Sequence, residues 1–122
     1  DILGVTVEKM CALGAEKDSI CAAMGAAIGR CCFETDGDVP TAIETYLSGD
    51  TDGLFDLRED GKYLVDLRAA NARRLMQLGI PEENIDVSAE CTVCSHEKYW
   101  SHRYTQRHGQ QRGSLAAAIV LE

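Results

Sequence analysis

Basic residues are in short supply in this sequence. Lys and Arg number 12 against 20 Asp and Glu, and the formal net charge is −8. Because general nucleic-acid binding and membrane-surface binding both require a cationic face, we expect neither kind of partner. The sequence also lacks an apolar run of membrane-spanning length, a charged-then-apolar signal peptide, internal repeats and low-complexity segments. The expected location is therefore the cytoplasm.

Length and composition indicate one domain. The chain has 122 residues, of which 45% are apolar and 26% charged, values typical of a soluble globular protein that buries a core. We predict a single domain over residues 1–122. The chain opens at Asp1 with no methionine and no leading segment, and we interpret it as cut from something longer.

The six cysteines do not follow the pattern of a secreted disulfide scaffold. Cys11 and Cys21 lie among helix-forming residues, Cys31 and Cys32 are adjacent, and a single CxxC motif covers 91–94. Because the stretches between them can build a core of their own, we expect reduced thiols.

Apolar periodicity and turn residues divide the chain into alternating helices and short strands. The predicted helices cover 2–13, 38–47 and 62–79, and the predicted strands cover 20–29, 54–60, 85–88 and 115–121. Asp1 is expected to cap the first helix and Gly79 to end the third. The stretch 20–29 is interpreted as a strand followed by a glycine-rich loop. This alternation predicts an α/β or α+β fold.

Residues 91–114 carry most of the unusual chemistry. The segment holds all three histidines, the only tryptophan, two cysteines and four of the twelve basic side chains, with Glu97 as its single acid. This local cationic island either attracts an anionic ligand or forms a solvated basic loop. Arg103, Arg107 and Arg112 can form a clamp for phosphate or carboxylate, with Gly109 and Gly113 letting backbone N–H groups approach. Alternatively, these arginines pair with the protein's many carboxylates.

A zinc site is the obvious metal hypothesis for the same segment. Cys91 and Cys94 supply half of a typical site, and His96 and His102 are the nearest imidazoles. The spacing of the two histidines is wider than usual, and the Cys31-Cys32 pair completes the site only if the fold brings it there. The alternative is that these cysteines are small buried apolar residues. A redox CxxC is less favoured, because Cys91 leaves a strand rather than opening a helix.

Three stretches together resemble the laccase-domain (YfiH-type) family. They are AAIGRCCFETDGDV (26–39), DLRAANARRLMQLGIPEENI (66–85) and CTVCSHEKYWSHRYTQRHGQQRGSLAAAIVL (91–121). The order of Cys-Cys-Phe-Glu followed by Cys-Thr-x-Cys and Ser-His-Arg is the most specific part. The resemblance covers essentially the whole chain and implies an α+β fold with mixed sheets packed against helices.

The resemblance implies a cytosolic zinc enzyme that cleaves purine nucleosides with phosphate. Adenosine deamination and methylthioadenosine phosphorolysis accompany this activity in the family, and copper was historically proposed as its metal. The family's zinc ligands, two His and one Cys, lie in an Asp-Cys segment and a His-Ala-Gly-Trp-Arg-Gly segment, and neither is present here. The chain therefore resembles the carboxyl-terminal half of the family. We expect no metal ligand within it.

The resemblance also suggests site residues. Arg103 and Arg112 are the candidates for contact with phosphate or substrate, and Cys32 and Glu34 are candidate lining residues. Two departures from the family pattern weaken a complete anion clamp. Tyr104 stands where the family usually has a second arginine, and Gln111-Arg112-Gly113 stands where it often has Gly-Arg.

Two other hypotheses belong to different functional classes. In one, the chain is a non-catalytic fragment or oligomerising module that pairs with a missing amino-terminal half or with a second copy. In the other, it is a small zinc-binding domain built on Cys91, Cys94 and His96.

Overall fold

The computed structural model describes residues 1–111 and 113–120. Its helices are α1 (Ile2–Ala12), α2 (Asp38–Tyr46), α3 (Leu67–Gln77) and α4 (His102–His108). Its strands are β1 (Ala22–Met24), β2 (Glu34–Thr35), β3 (Phe55–Leu57), β4 (Tyr63–Val65) and β5 (Ile85–Val87). Short 3-10 turns cover Lys17–Ser19 and Glu82–Asn84. None of the described helices has both the length and the apolar character that crossing a bilayer requires.

The strands form one parallel and one antiparallel sheet. β1 pairs in parallel with β5, with Ala22 opposite Ile85. β4 is the centre of the other sheet and pairs antiparallel with both β2 and β3. Parallel and antiparallel pairing therefore coexist with helices, and the predicted α+β class with mixed sheets is confirmed.

Helix α3 connects the two apolar clusters of the core. One cluster consists of Ile43, Leu47, Leu54, Val65 and Ala70. The other consists of Val7, Ile20, Leu75 and Ile80. Ala70 and Leu75 lie on α3, so this one helix contributes to both clusters. Packing against α3 consequently sets the relation between the antiparallel sheet and the amino-terminal helix.

Side-chain caps explain where three helices begin. The carboxylate of Asp1 accepts a hydrogen bond from the Gly4 N–H at 2.9 Å, as the sequence predicts. Asp66 accepts one from the Ala69 N–H at 2.9 Å and so starts α3. Ser101 caps α4 in the same way. Each cap satisfies a backbone N–H that has no partner inside its helix.

Two predicted elements are wrong over part or all of their length, and the structure contains one helix that was not predicted. The predicted helix 62–79 is wrong at its start, because residues 63–65 form the central strand β4 and the helix begins only after Asp66. Helix α4 lies inside the segment interpreted as a loop. The predicted strand 115–121 is wrong over its described residues: 115–120 have no regular structure, and the exposed fractions of Ile119 and Val120 are 80% and 84%. Position 121 lies outside the described residues.

Candidate functional site

Two segments that are distant in sequence run side by side at the ends of β1 and β5. Ala27 and Cys91 form an isolated parallel bridge, and the Thr92 N–H donates to the Ala27 carbonyl at 3.0 Å. After Gly29 the chain turns sharply, with the Cys32 N–H donating back to the Gly29 carbonyl at 2.9 Å. This pairing brings the adjacent cysteines of one segment against the CxxC motif of the other.

Four cysteine sulfurs meet where these segments adjoin. The Sγ atoms of Cys31, Cys32, Cys91 and Cys94 all lie within 4.8 Å of one another. The Sγ of Cys94 is 3.6 Å from that of Cys32 and 3.7 Å from that of Cys31. All four are free thiols; Cys91 is buried, and Cys94 is exposed. We refer to these residues as the cysteine cluster.

Within the cysteine cluster, the pKa values of Cys91 and Cys32 are shifted in opposite directions. Burial acts to raise the pKa of Cys91, but backbone N–H groups of Cys94, Gly29 and Val93 stabilise its thiolate and lower the pKa to about 6. The N–H of Gly29 is 3.2 Å from this sulfur. Burial raises the pKa of Cys32, and the adjoining sulfurs raise it further. The cluster therefore favours one thiolate and opposes a second unless a cation is added.

An arginine from α3 holds the second segment in place. Arg68 is half-buried, and its Nη1 donates to the carbonyl oxygens of Ser88 and Glu90, the latter at 3.0 Å. Both carbonyls belong to the link between β5 and Cys91. A Cβ atom added to Gly29 would lie 3.2 Å from Nη2 of Arg68 and 3.3 Å from Sγ of Cys31. The guanidinium thus adjoins the cysteine cluster, and a larger residue at position 29 would require the neighbouring side chains to shift.

A cleft of about 260 Å³ lies beside the cysteine cluster. It is lined by Ile28, Phe33, Thr92, Trp100, Ser101, His102 and Arg103. The side chains of Phe33 and Trp100 supply aromatic surface, and α4 supplies His102 and Arg103. The arrangement combines apolar walls, a cation and an imidazole in one recess, as in many small-molecule sites.

Among the described residues, Arg103 is the only predicted site residue that lines the cleft. Nη1 of Arg103 donates to the backbone carbonyl of Glu34 at 3.1 Å, and its guanidinium lies over the Phe33 ring with Cζ 5.7 Å from the centroid. Cys32 precedes Phe33 and belongs to the cysteine cluster. The Glu34 carboxylate turns to Lys62 and Arg58, at 3.3 and 3.5 Å. Arg112 lies outside the described residues.

The structure separates His96 from the two cysteines with which it was grouped. Its ring stacks on Tyr104 at a centroid distance of 3.9 Å, and the opposite face of Tyr104 stacks on His108 at 4.1 Å. Cys31 and Cys32 complete the cluster with Cys91 and Cys94 instead. The hypothesis of a small zinc-binding domain is therefore wrong in naming His96 as the third ligand. This stack also explains Tyr104 at the position where the family usually has arginine: here the residue is an aromatic spacer.

The two glycines of the basic segment have structural roles. Gly109 ends α4 in the left-handed region, at φ 63°. A Cβ atom on Gly113 would overlap the Trp100 ring. Gly113 therefore packs closely on the tryptophan ring.

Sequence comparison relates this arrangement to known proteins. The model of the multi-copper polyphenol oxidoreductase laccase family matches residues 1–122. The chain belongs to this family. It is 38% identical over 102 residues to "Adenosine deaminase RL5" from an unknown prokaryotic organism, covering 84% of this chain and 39% of that protein. It is 35% identical over 81 residues to "Purine nucleoside phosphorylase YlmD" of Geobacillus stearothermophilus, covering 66% of this chain and 30% of that protein.

Solved laccase-domain structures share the fold. The crystal structure of YlmD from Geobacillus stearothermophilus superimposes with a TM-score of 0.80 and 30% identity, covering 86% of this chain and 39% of that chain. The hypothetical protein YfiH of Bacillus licheniformis superimposes with a TM-score of 0.78 and 28% identity, covering 86% and 40%. The chain thus spans well under half the length of the relatives it matches.

Proposed function

We propose that this laccase-domain chain supplies a nucleoside- and phosphate-binding face to a purine nucleoside phosphorylase. The observation that carries the proposal is the cleft between Phe33, Trp100 and Arg103 in a chain whose relatives bear the phosphorylase name. Because the chain matches only part of those relatives, the complete activity, its zinc dependence and a cytoplasmic location are proposed together with it.

The proposed chemistry assigns a role to each wall of the cleft. Phosphorolysis requires phosphate against the anomeric carbon of the sugar and stabilisation of the departing purine. The guanidinium of Arg103, held by the Glu34 carbonyl, presents its remaining N–H donors to phosphate. Within residues 1–111 and 113–120 it forms no ion pair. The aromatic walls suit a flat purine, and we assign proton donation to the imidazole of His102, which lines the same cleft.

The family's zinc centre, with two His and one Cys, does not fit the residues present. His96 and His108 both stack on Tyr104. In the described part of the chain, the cluster suited to a metal is made of cysteines alone. We therefore route no catalytic step through that centre and restrict the proposal to binding and proton transfer by this chain's own residues.

Ligand binding tests the cleft directly. Inosine and phosphate are titrated into the chain while Trp100 fluorescence and heat are recorded. Arg103→Leu is expected to weaken phosphate binding at least tenfold, about 1.4 kcal/mol. The matched control is Arg107→Leu, which changes an exposed arginine on the same helix. Equal phosphate affinity in both variants would contradict the assignment of Arg103.

Turnover requires a larger protein. A chimera in which residues 1–120 replace the matched segment of Geobacillus YlmD is assayed for release of hypoxanthine from inosine. We expect release that depends on phosphate and falls sharply with Arg103→Leu. Conversion of adenosine to inosine without phosphate would instead indicate a deaminase. A folded chimera that binds nucleoside without either reaction would reject the catalytic proposal.

The alternative of a non-catalytic, oligomerising module has its own supporting observation. Among the described residues β1 pairs only with β5, which leaves its other edge free of strand pairing. Ala117, Ala118 and exposed Ile119 line one recess with Ala22 and Ala23 of β1. Such an edge can accept a strand from another chain. Light scattering after size-exclusion chromatography distinguishes a monomer from a dimer, and Ile119→Asp is expected to dissociate a dimer formed through this edge.

A further inference from the structure

The cysteine cluster has a geometry that neither apolar packing nor the cleft explains. Four sulfurs, each about 2.3 Å from a zinc ion, lie about 3.8 Å from one another in a tetrahedron. The Sγ of Cys94 is 3.6 Å from Cys32 and 3.7 Å from Cys31, and every pair in the cluster is within 4.8 Å. We propose that Cys31, Cys32, Cys91 and Cys94 bind one zinc ion as a structural tetrathiolate site.

A disulfide explains the arrangement less well. A disulfide holds two sulfurs about 2.05 Å apart and leaves the remaining thiols outside the bond. Here Cys94 is almost equally distant from Cys31 and Cys32, and all six cysteines of the chain are free thiols. Two nearly equal distances from Cys94, with every other pair within 4.8 Å, suit four ligands around one ion better than a single bonded pair.

The surroundings of the cluster favour bound thiolates. The Gly29 N–H points at Cys91 Sγ at 3.2 Å, and hydrogen bonds of this kind orient a ligating sulfur and offset its negative charge. The Arg68 guanidinium adjoins the same corner. Exposed Cys31 and Cys94 give an ion a route from solvent. Sulfur-only tetrahedral sites favour zinc or iron, and zinc requires no redox partner.

Such a site would be structural because four protein ligands leave no coordination position for a substrate. It would join the turn before β2 directly to the segment after β5. Along the chain, β2, α2, β3, β4, α3 and β5 lie between these two segments. Cys32 directly precedes Phe33, and Cys94 lies shortly before Trp100, so the same ion would set the distance between the two aromatic walls of the cleft. The proposal is independent of phosphorolysis.

The first experiment needs no substitution. The chain is purified with a phosphine reductant, its metals are measured by mass spectrometry, and its thiols are alkylated with and without added zinc. We expect one zinc per chain and protection of the four cluster thiols, with Cys11 and Cys21 remaining reactive. An equal content of iron or copper would overturn the assignment to zinc. No metal and uniform alkylation, or a Cys31–Cys94 disulfide, would overturn the site itself.

Variants then identify the ligands. Each of Cys31→Ser, Cys32→Ser, Cys91→Ser and Cys94→Ser is expected to weaken zinc binding at least about tenfold, since even a supporting residue of a metal site costs this much. Cys21→Ser and His96→Ala serve as controls and should retain wild-type affinity. Cobalt substitution gives a second measurement should a variant fold poorly, because the wild-type chain alone should show sulfur-to-cobalt charge-transfer absorption of four thiolates. Loss of zinc in His96→Ala, with Cys31→Ser unaffected, would refute the four-cysteine assignment.

Discussion

Replacing Arg68 tests whether the anchor beneath the cysteine cluster stabilises the fold. The guanidinium donates to two backbone carbonyls, of Ser88 and Glu90. A hydrogen bond from a charged donor contributes about 1.5–3 kcal/mol. The two bonds share one half-buried group, and water replaces part of what is lost. We therefore expect Arg68→Leu to lower the free energy of unfolding by about 2–3 kcal/mol.

The design of the Arg68 experiment separates the contacts from helix propensity. Leu and Arg have similar intrinsic helix propensity, so the substitution leaves that contribution to α3 nearly unchanged. Urea unfolding of the metal-free chain is followed by far-ultraviolet circular dichroism. Arg107→Leu is the control, since its exposed side chain makes no hydrogen bond in the part of the chain that the structure describes, and its effect should stay within about 0.5 kcal/mol.

Arg68→Lys isolates the shape of the donor from its charge. Both bonds leave one nitrogen, Nη1. Lysine keeps the positive charge, but its ammonium lies on a stem one atom shorter and differently shaped, so it should restore less than half of the lost stability. The reasoning is refuted if Arg68→Leu unfolds at the same urea concentration as Arg107→Leu with an unchanged slope. Such a result would mean that water satisfies the two carbonyls as well as the guanidinium does.

Two further predictions concern the packing of aromatic residues. Gly113→Ala should displace the Trp100 ring, because the added Cβ overlaps it, and the tryptophan emission maximum should therefore shift. Gly109→Asn is the control. Asparagine tolerates the left-handed conformation at that position, so the emission maximum should stay unchanged. Burial raises the pKa of Tyr46, and nearby Arg74 partly lowers it. The folded protein thus favours the neutral phenol. The resulting contribution to the free energy of unfolding is complete below the ordinary tyrosine pKa of about 10, and it is lost as the pH rises through the pKa of the folded state. Alkaline absorbance titration, with Tyr46→Phe to identify the late-ionising phenol, checks this; a phenol that ionises with the exposed tyrosines would contradict it.

Local signals in the sequence were sufficient to predict most of the helices. Asp1 caps α1 as predicted, and the start and turn residues around α2 located it to within a residue of its observed end. Helix α4 was missed although Ser101 and Gly109 are ordinary cap residues, because polar and basic composition between them carries no apolar periodicity. Its buried face rests largely on Thr105. A helix with so little apolar surface is identified by its caps alone.

Strands were harder to predict than helices, because the strands with which they pair are distant in the sequence. Residues 63–65 extend the apolar stripe of α3, so the periodic pattern continued through them into a predicted helix. Pairing with β2 and β3 makes this segment a strand instead. Residues 115–120 are apolar enough for a buried strand, yet among the described residues no strand pairs with them. Apolar composition indicates burial only where a partner surface is present.

By itself, the sequence determined the family, the α+β class and the acidic surface with its single basic segment, since each depends on residue identity and local order. It also showed the CxxC motif and the adjacent cysteine pair. Only the tertiary structure decided that these two motifs converge, that His96 turns away to stack on Tyr104, and that Arg103 reaches the backbone beside Phe33. The physical reason is that a metal site or cleft depends on distances between segments about sixty residues apart. Those distances are set by packing across α3 and by the parallel pairing of β1 with β5.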